Sequence, residues 1–154
     1  MGIAVVLDTN VFINVKNKEE PYYPSSKKIL DWIDEGRMKG IVSTIVVAEM
    51  CSGFYEADEI REKEDFLTHI SGSQTYQIRE VSLSIADEAG RIRSSKGLRL
   101  PDSIIVATGL REGAKYLATN DDSFKKARDL IGVFTPKELV RELDGSVRRE
   151  RKKN

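Results

Sequence analysis

The sequence predicts an α/β fold in which a parallel sheet is covered by helices on both faces. Short β-branched runs alternate along the chain with longer segments of helical period. The first run, residues 3–7 (IAVVL), is continuously apolar, as expected for a strand that is buried on both faces. Strands that alternate with helices are joined by right-handed crossovers, and such crossovers produce parallel strands.

Two strands and three helices are predicted in the first half of the chain. After the strand at residues 3–7, Ser25 or Ser26 can cap a helix, and Gly36 suits the left-handed residue that follows its end. A short β-branched run, an apolar helical segment and a more polar helix come next. We predict these three elements at residues 41–43, at about residues 44–53, and at residues 58–70.

The second half of the chain continues the alternation. Residues 76–81 alternate between apolar and polar, which is typical of a strand, and Ser82 can cap the helix after it. The segment SSKGLR, residues 94–99, is predicted to be a loop, and Pro101 opens a helix because proline is tolerated in a first turn. That helix is predicted to end at Gly113. It is followed by a predicted strand at residues 116–119, a helix at 123–130 and a strand at 133–134. The capping box TPKE at residues 135–138 opens the last helix.

The composition indicates one domain with a basic end. The chain has 154 residues and 40% hydrophobic content, which suits a single core. Residues 148–154 (RRERKKN) hold five bases and one acid, whereas the rest carries 20 bases against 24 acids, a net charge of −4. We therefore predict a domain at residues 1–147 and a basic tail at residues 148–154. One cysteine, no signal-peptide pattern and no apolar stretch near the ~20 residues of a membrane span favour a cytoplasmic setting.

Four acids are predicted at the sheet edge where such folds bind ligands, outside the carboxyl ends of the strands. Asp8 follows the first strand, and Asp121 lies two residues beyond the end of the fourth. Asp102 is in the first turn of a helix whose N-terminus we expect at the same edge. Glu49 has apolar neighbours in IVVAEMC, residues 45–51, so we expect it to be at least half-buried.

Each acid on its own also has a structural explanation. Asp8 could form an Asx-turn, and Asp102 could interact with the helix dipole. Asp121 or Asp122 could cap the next helix, and Glu49 could form a salt bridge or face solvent. The joint placement of the acids at one edge favours a shared functional site over four separate explanations.

The chemistry of such a site points to a hard metal ion. Four carboxylates at close range repel one another, and a divalent cation removes this conflict. Ligation by oxygen alone suits Mg²⁺ or Mn²⁺, whereas zinc favours nitrogen or sulfur. His69 has no ligand spacing and no histidine is placed to activate Cys51, so we expect ordinary structural roles for both. Because no Walker or dinucleotide-binding motif is present, phosphodiester hydrolysis is the favoured chemistry.

Four segments of the chain, in this order and at these separations, resemble the PIN domain and, within it, the VapC-like toxin ribonucleases of bacteria and archaea. The segments are VVLDTN (5–10), VSTIVVAEM (42–50), LRLPDSIIVATGL (98–110) and YLATNDDSF (116–124). The resemblance implies a three-layer α/β/α sandwich around a short parallel sheet. It also implies Mg²⁺- or Mn²⁺-dependent cleavage of RNA.

Residue by residue, the resemblance implies a set of catalytic and metal-binding acids, which we call the acidic quartet: Asp8, Glu49, Asp102 and Asp121. The supporting residues that it implies are Thr9, Asn10, Thr119, Asn120 and Asp122, although Asp122 could serve only as a helix cap. The family also implies a small antitoxin protein as a partner. We expect a homodimer that does not associate with membranes.

Three bases are predicted to bind the RNA substrate. Arg93, Lys96 and Arg99 lie in or beside the segment that leads into Asp102, and an acidic cleft needs cations at its rim to hold phosphates. The basic tail could add to this contact or could be only a solvated end.

Other functions stay open at the level of sequence. An RNA-processing or DNA-directed nuclease of the same fold, or a non-catalytic RNA-binding scaffold, would share the same patterns. A phosphotransfer domain with Asp8 as its nucleophile is disfavoured. Asn10 stands where one such class needs a second aspartate, and no acidic pair precedes the first strand, as another class requires.

Overall fold

Five parallel strands form a single sheet, as the sequence predicts. The computed structural model describes the backbone of residues 2–153 and the side chains of residues 2–145 and of Lys152. The strands are β1 (Ala4–Leu7), β2 (Lys39–Ser43), β3 (Tyr76–Arg79), β4 (Tyr116–Ala118) and β5 (Gly132–Phe134). Their order across the sheet is β3-β2-β1-β4-β5. The strand order therefore reverses at β1, and its carboxyl end is the position where ligands bind in such folds.

Helices flank this sheet, and most of their predicted end signals are present. They are α1 (Thr9–Lys16), α2 (Tyr23–Asp34), α3 (Thr44–Glu56), α4 (Ile60–Gly72), α5 (Leu83–Lys96), α6 (Leu100–Arg111) and α7 (Pro136–Lys153), with a 3₁₀ helix at Asp122–Ala127. Ser82 caps α5, and Gly36 adopts a left-handed φ of +79° after α2. Thr135 and Glu138 exchange side-chain and backbone hydrogen bonds at the start of α7, which confirms the capping box.

The core is built around β1, which is covered on both faces. Val5, Val6 and Leu7 are completely buried, which confirms the interpretation of the apolar run. Helix α6 approaches β1 closely at Gly109, where an added Cβ would lie 2.6 Å from Cγ1 of Val6. This close approach holds the helix that carries Asp102 against the strand that precedes Asp8.

Helix α1 was not predicted. Its sequence, TNVFINVK, is rich in β-branched and amide residues, which have low helix propensity. Asp8 caps the helix, and Val11 and Phe12 are buried in the core, so tertiary packing and the cap outweigh propensity.

Three predicted boundaries are wrong. Helix α2 begins after Tyr22 with no side-chain cap, and Ser26 is buried and bonds elsewhere, so neither predicted serine is the cap. Helix α5 continues to Lys96 and ends at the left-handed Gly97, so the predicted loop shrinks to residues 97–99. The predicted helix at residues 123–130 is instead the short 3₁₀ helix.

The predicted basic tail lies at the end of α7. The backbone of residues 148–153 continues that helix, and the side chains of residues 148–151 and 153 lie outside the described residues, as does Asn154. The division of the chain at residue 147 therefore stays a prediction. In the range 2–153, none of the helices combines the length and the apolar character that a membrane crossing requires.

Candidate functional site

Asp8 lies at the carboxyl end of β1 and is the centre of a hydrogen-bond network. Its carboxylate accepts from the backbone N–H of Thr9 at 2.8 Å, from the amide of Asn10 at 2.9 Å and from the hydroxyl of Thr119 at 2.7 Å. Only 7% of Asp8 is exposed. Three donors therefore hold a buried carboxylate at the point where the strand order reverses.

Burial dominates the electrostatics of Asp8. Desolvation raises the pKa of its carboxyl group from 3.8 to about 6, and the nearby charges of Asp102 and Glu49 also raise it. The hydrogen bonds from Thr119 and Thr9 act in the opposite direction and lower that pKa. A positive charge close to Asp8 would favour the ionised carboxylate.

Thr119 connects Asp8 to Asp121. Its hydroxyl donates to Asp8 and accepts from the backbone N–H of Asp121 at 3.0 Å. The side chain of Asp121 accepts from the N–H of Ser123 at 2.9 Å and so caps the 3₁₀ helix. The capping alternative for Asp121 is therefore correct, and the same residue lies one hydrogen-bonded step from Asp8.

Glu49 is connected to Asp8 through Thr9. The Thr9 hydroxyl donates to Oε1 of Glu49 at 2.7 Å, whereas its backbone N–H donates to Asp8. Glu49 is exposed, so the prediction that it is at least half-buried is wrong. Helix α3 buries the row formed by Val46, Met50 and Phe54, and Glu49 lies beside that row, at the solvent boundary.

Asp102 is buried in the first turn of α6 and is paired with Arg99. Nε and Nη2 of Arg99 approach the two carboxylate oxygens at 3.2 and 3.3 Å. Asp102 is 4% exposed, whereas the Arg99 side chain is 71% exposed. Helix α6 follows α5 through residues 97–99, and Asp102 in its first turn lies close enough to raise the pKa of Asp8.

Arg99 links all members of the acidic quartet except Asp8 electrostatically. Asp102 raises the pKa of the guanidinium through hydrogen bonds and charge, with smaller contributions from Glu49 and Asp121. Together with the effects of Glu49 and Asp102 on Asp8, these interactions place the four acids in one electrostatic neighbourhood.

The other two predicted substrate-binding bases have partners away from the quartet. Lys96 forms an ion pair with Asp129, and Nη1 of Arg93 donates to the carbonyl of Leu98 at 3.4 Å. Of the three bases, Arg99 alone contacts an acid of the quartet in the described part of the chain. Binding of RNA by any of them stays a prediction.

A second row of polar residues supports the network, and two of its members, Asn14 and Ser26, were not predicted to belong to the site. The amide of Asn120 donates to Oδ1 of Asn14 at 2.8 Å, and the buried hydroxyl of Ser26 donates to the same oxygen at 3.0 Å. The backbone N–H of Asn120 donates to Asn10 at 3.2 Å. Asn14 is buried on α1, so prediction of that helix would have placed it on the same side as Asn10, one turn further on.

The remaining candidates lie at the surface. Asp122 is exposed and pairs with Lys125 at 3.3 Å, so it contacts no member of the quartet in the described residues. Nε2 of His69 lies 2.8 Å from Asp34, and Cys51 is a partly buried free thiol. These contacts agree with the ordinary roles expected for His69 and Cys51.

The quartet suits a hard cation by its chemistry. Its donors are carboxylate oxygens, and Asp8 and Asp102 are buried, so an ion would offset charge that is costly to hold there. As the side chains of the described residues stand, no three acids, histidines or cysteines are arranged to enclose an ion. Arg99 covers both oxygens of Asp102, so this pairing must rearrange before Asp102 shares a ligand with the other acids, whereas the bond from Thr9 occupies only one oxygen of Glu49.

Comparison with known proteins identifies one family and several solved structures that share this fold. A family model described as "PIN domain" matches residues 5–130. No curated protein matches the chain at significant sequence similarity. A toxin-antitoxin complex from Klebsiella pneumoniae has a chain that is 24% identical, with a TM-score of 0.67 over 86% of this chain and 97% of that chain.

Two further solved structures share the fold. VapBC2 from Rickettsia felis, bound to a DNA fragment from its promoter, is 24% identical, with a TM-score of 0.64 over 86% of this chain and 98% of that chain. VapC20 from Mycobacterium tuberculosis, described as a Sarcin-Ricin loop cleaving toxin, is 14% identical, with a TM-score of 0.67 over 80% of this chain and 94% of that chain. All three structures thus share the overall fold of this chain.

Proposed function

The chain belongs to the PIN domain family, and from that membership we propose that it is a metal-dependent endoribonuclease that hydrolyses RNA phosphodiester bonds. The observation that carries the proposal is the hydrogen-bonded chain Glu49–Thr9–Asp8–Thr119–Asp121 at the carboxyl end of β1, with Asp102 in the same electrostatic neighbourhood. Helix capping accounts for Asp8 and Asp121 one at a time, but it does not require the four acids to lie together, and a shared cation would explain why they do.

Asp8, Glu49, Asp102 and Asp121 are the residues that would hold Mg²⁺ or Mn²⁺. When bound, the ion lowers the pKa of a water molecule and offsets charge on the scissile phosphate. The protein's own contribution is orientation. Thr119 and Asn10 fix Asp8, and Thr9 fixes Glu49, so that at least two carboxylates keep their positions without the substrate.

Arg99 is proposed to have two partners. It neutralises Asp102 until a cation takes its place, and its exposed side chain can then reach an RNA phosphate at the rim. Lys96, the last residue of α5, is engaged with Asp129 and contributes less. These different contributions follow from the positions of the two bases, because Arg99 contacts the quartet and Lys96 does not.

We also propose that the protein is the toxin of a toxin–antitoxin pair, with a small antitoxin protein as its partner. This part of the proposal rests on solved structures with the same fold, of which one is a toxin-antitoxin complex and another is described as a Sarcin-Ricin loop cleaving toxin. RNA as the substrate and a single cysteine favour a cytoplasmic protein. A homodimer is proposed on the same basis of family resemblance.

The proposal is tested by incubating the purified protein with mixed RNAs and with single-stranded DNA of matched length, in Mg²⁺, Mn²⁺, Zn²⁺ or EDTA. We expect cleavage of RNA in Mg²⁺ or Mn²⁺, and a melting temperature that rises with either ion because only the folded quartet binds it. Asp102→Asn should abolish both effects, whereas Asp87→Asn, an exposed site on α5, should retain them.

Three results would count against the proposal. Cleavage of DNA in preference to RNA would identify a DNA-directed member of the family. Binding of RNA without cleavage under any ion would identify a scaffold. Activation by zinc with no response to magnesium would contradict ligation by oxygen alone.

A further inference from the structure

A cleft adjoins the quartet on the side of Glu49. It has a volume of about 440 Å³ and lies between the C-terminal half of α1, helix α3 and the turn that follows α3. Glu49 is part of its wall, so the cleft and the quartet are continuous. We call it the α1–α3 cleft. A space of this size can hold a small organic group, and its position is beside the proposed scissile phosphate.

One side of the cleft is apolar and open. Ile13 and the buried Met50 supply aliphatic surface, and Gly53 faces the space without a side chain. An added Cβ at Gly53 would meet no atom within 4 Å, so the space next to Gly53 is open and no neighbouring side chain fills it. Aliphatic surface beside an opening suits one face of a flat ring.

The opposite side is polar and has unused hydrogen-bonding capacity. Nζ of Lys16 lies 2.7 Å from Oε1 of Glu59 and donates to Oδ1 of Asn17 at 3.3 Å. Oε1 is buried against this ammonium group and is closed to a ligand, whereas the Glu59 side chain as a whole is 36% exposed, so its second oxygen, Oε2, is the acceptor that a ligand can reach. The side-chain amide of Asn17 accepts a hydrogen bond through Oδ1, and its NH₂ group donates none to the described residues. An acceptor and a donor are thus available to a ligand.

The charge of the cleft excludes a phosphate as its occupant. Its walls hold two carboxylates, Glu49 and Glu59, against one ammonium group, Lys16, so a second anion would be repelled. A neutral ring with a polar edge meets no such penalty. Unstacked bases of single-stranded RNA have this form, and proteins read their edges with side-chain donors and acceptors.

We propose that the α1–α3 cleft binds one base of single-stranded RNA beside the scissile phosphate, and that Asn17 and Glu59 select a base with an amino group. The inference rests on the proposed nuclease function and adds to it a source of sequence preference. The base packs on Ile13 and Met50, and its amino group donates to Glu59. Uracil lacks that amino group and is the base we expect to be disfavoured.

The test fills the cleft and leaves the quartet unchanged. Gly53→Leu places a side chain in the open space, and Gly90→Leu is the matched control, because Gly90 is also an exposed helical glycine with no atom within 4 Å of an added Cβ. Cleavage of an RNA library with randomised positions gives the base preference, and a defined RNA gives kcat and KM. We expect Gly53→Leu to raise KM by roughly tenfold and to flatten the preference at one position next to the cut. Gly90→Leu should behave as the unaltered protein.

A second variant tests the edge contact separately. Glu59→Gln exchanges one acceptor oxygen for an amide donor at nearly constant shape. We expect it to shift the preference at the same position away from amino-bearing bases. Melting curves of both variants establish that each is folded.

Unchanged KM and base preference in both folded variants would overturn the base site and leave the nuclease proposal intact. If the unaltered protein cleaves no RNA, the nuclease proposal fails by itself. Binding of short RNAs to the unaltered protein and to Gly53→Leu then decides whether the cleft holds a base. Equal binding by the two proteins would overturn the base site, and weaker binding by Gly53→Leu would support it.

Discussion

The charge on Asp8 is predicted to cost folding stability, and Asp8→Asn should recover part of that cost. The carboxyl pKa is 3.8 in an exposed aspartate and about 6 in the fold, a difference that corresponds to about 3 kcal/mol. Because the fold favours the protonated acid, this stability is complete below pH 3.8 and is lost as the pH rises through 6. Glu49 and Asp102 are the charged neighbours that add to the effect of burial.

The measurement is urea denaturation in EDTA between pH 4 and pH 8, so that no added ion compensates the charge. At pH 7.5 we expect Asp8→Asn to be more stable by about 1–3 kcal/mol, since the amide loses part of the hydrogen bonding that three donors give the carboxylate. Near pH 4 the advantage should disappear. Asp87→Asn, the same chemical change at an exposed position of α5, should show no such dependence on pH.

One outcome refutes this reasoning. If Asp8→Asn is less stable at every pH, the cap of α1 and the three hydrogen bonds outweigh the cost of burial, and Asp8 is a structural residue first. Addition of Mn²⁺ separates the two roles further, because it should stabilise the unaltered protein and leave Asp8→Asn unchanged.

Three further changes test the site and its support. Glu49→Gln should fold normally, because Glu49 is exposed and Thr9 can still donate to an amide oxygen, yet RNA cleavage should fall at least about 100-fold; full specific activity would remove Glu49 from the site. Arg99→Gln should raise the affinity for Mn²⁺ about three- to fivefold in calorimetry, because the exposed guanidinium no longer competes with the ion for Asp102, and weaker binding would show that Arg99 helps to form the metal site. Gly109→Ala should destabilise the fold by about 1–3 kcal/mol in urea denaturation, because its Cβ would lie 2.6 Å from Val6, and unchanged stability would contradict this close approach.

The parallel sheet and its acidic edge could be predicted because both depend on short-range patterns. Continuous apolar runs mark buried strands, and an acid that follows such a run directly or within a short turn lies near the strand's carboxyl end. Asp8 and Asp121 were placed in this way. Membership of the PIN domain family confirms the resemblance, whereas the catalytic and metal-binding roles that it implies for the quartet stay a prediction.

Features that depend on tertiary packing could not be predicted. The burial of α1 outweighs the low helix propensity of TNVFINVK, and without α1 the contacts of Asn14 could not be anticipated. The neighbours of Glu49 in sequence are apolar, but which of them face the core is settled by how α3 packs. The pairing of Arg99 with Asp102 depends on side-chain geometry that the sequence pattern does not contain.

The position of β1 between β2 and β4 links the proposed activity to protein synthesis. Asp8 is made early, but its partner Thr119 is 111 residues further along the chain, and Asp121 follows it. A chain still on the ribosome, or one cut short before β4, has no strand to complete this side of β1 and lacks two members of the hydrogen-bonded chain. A chain cut short before β4 would therefore carry Asp8 without Thr119 and Asp121, and the proposed activity requires synthesis to continue past Asp121.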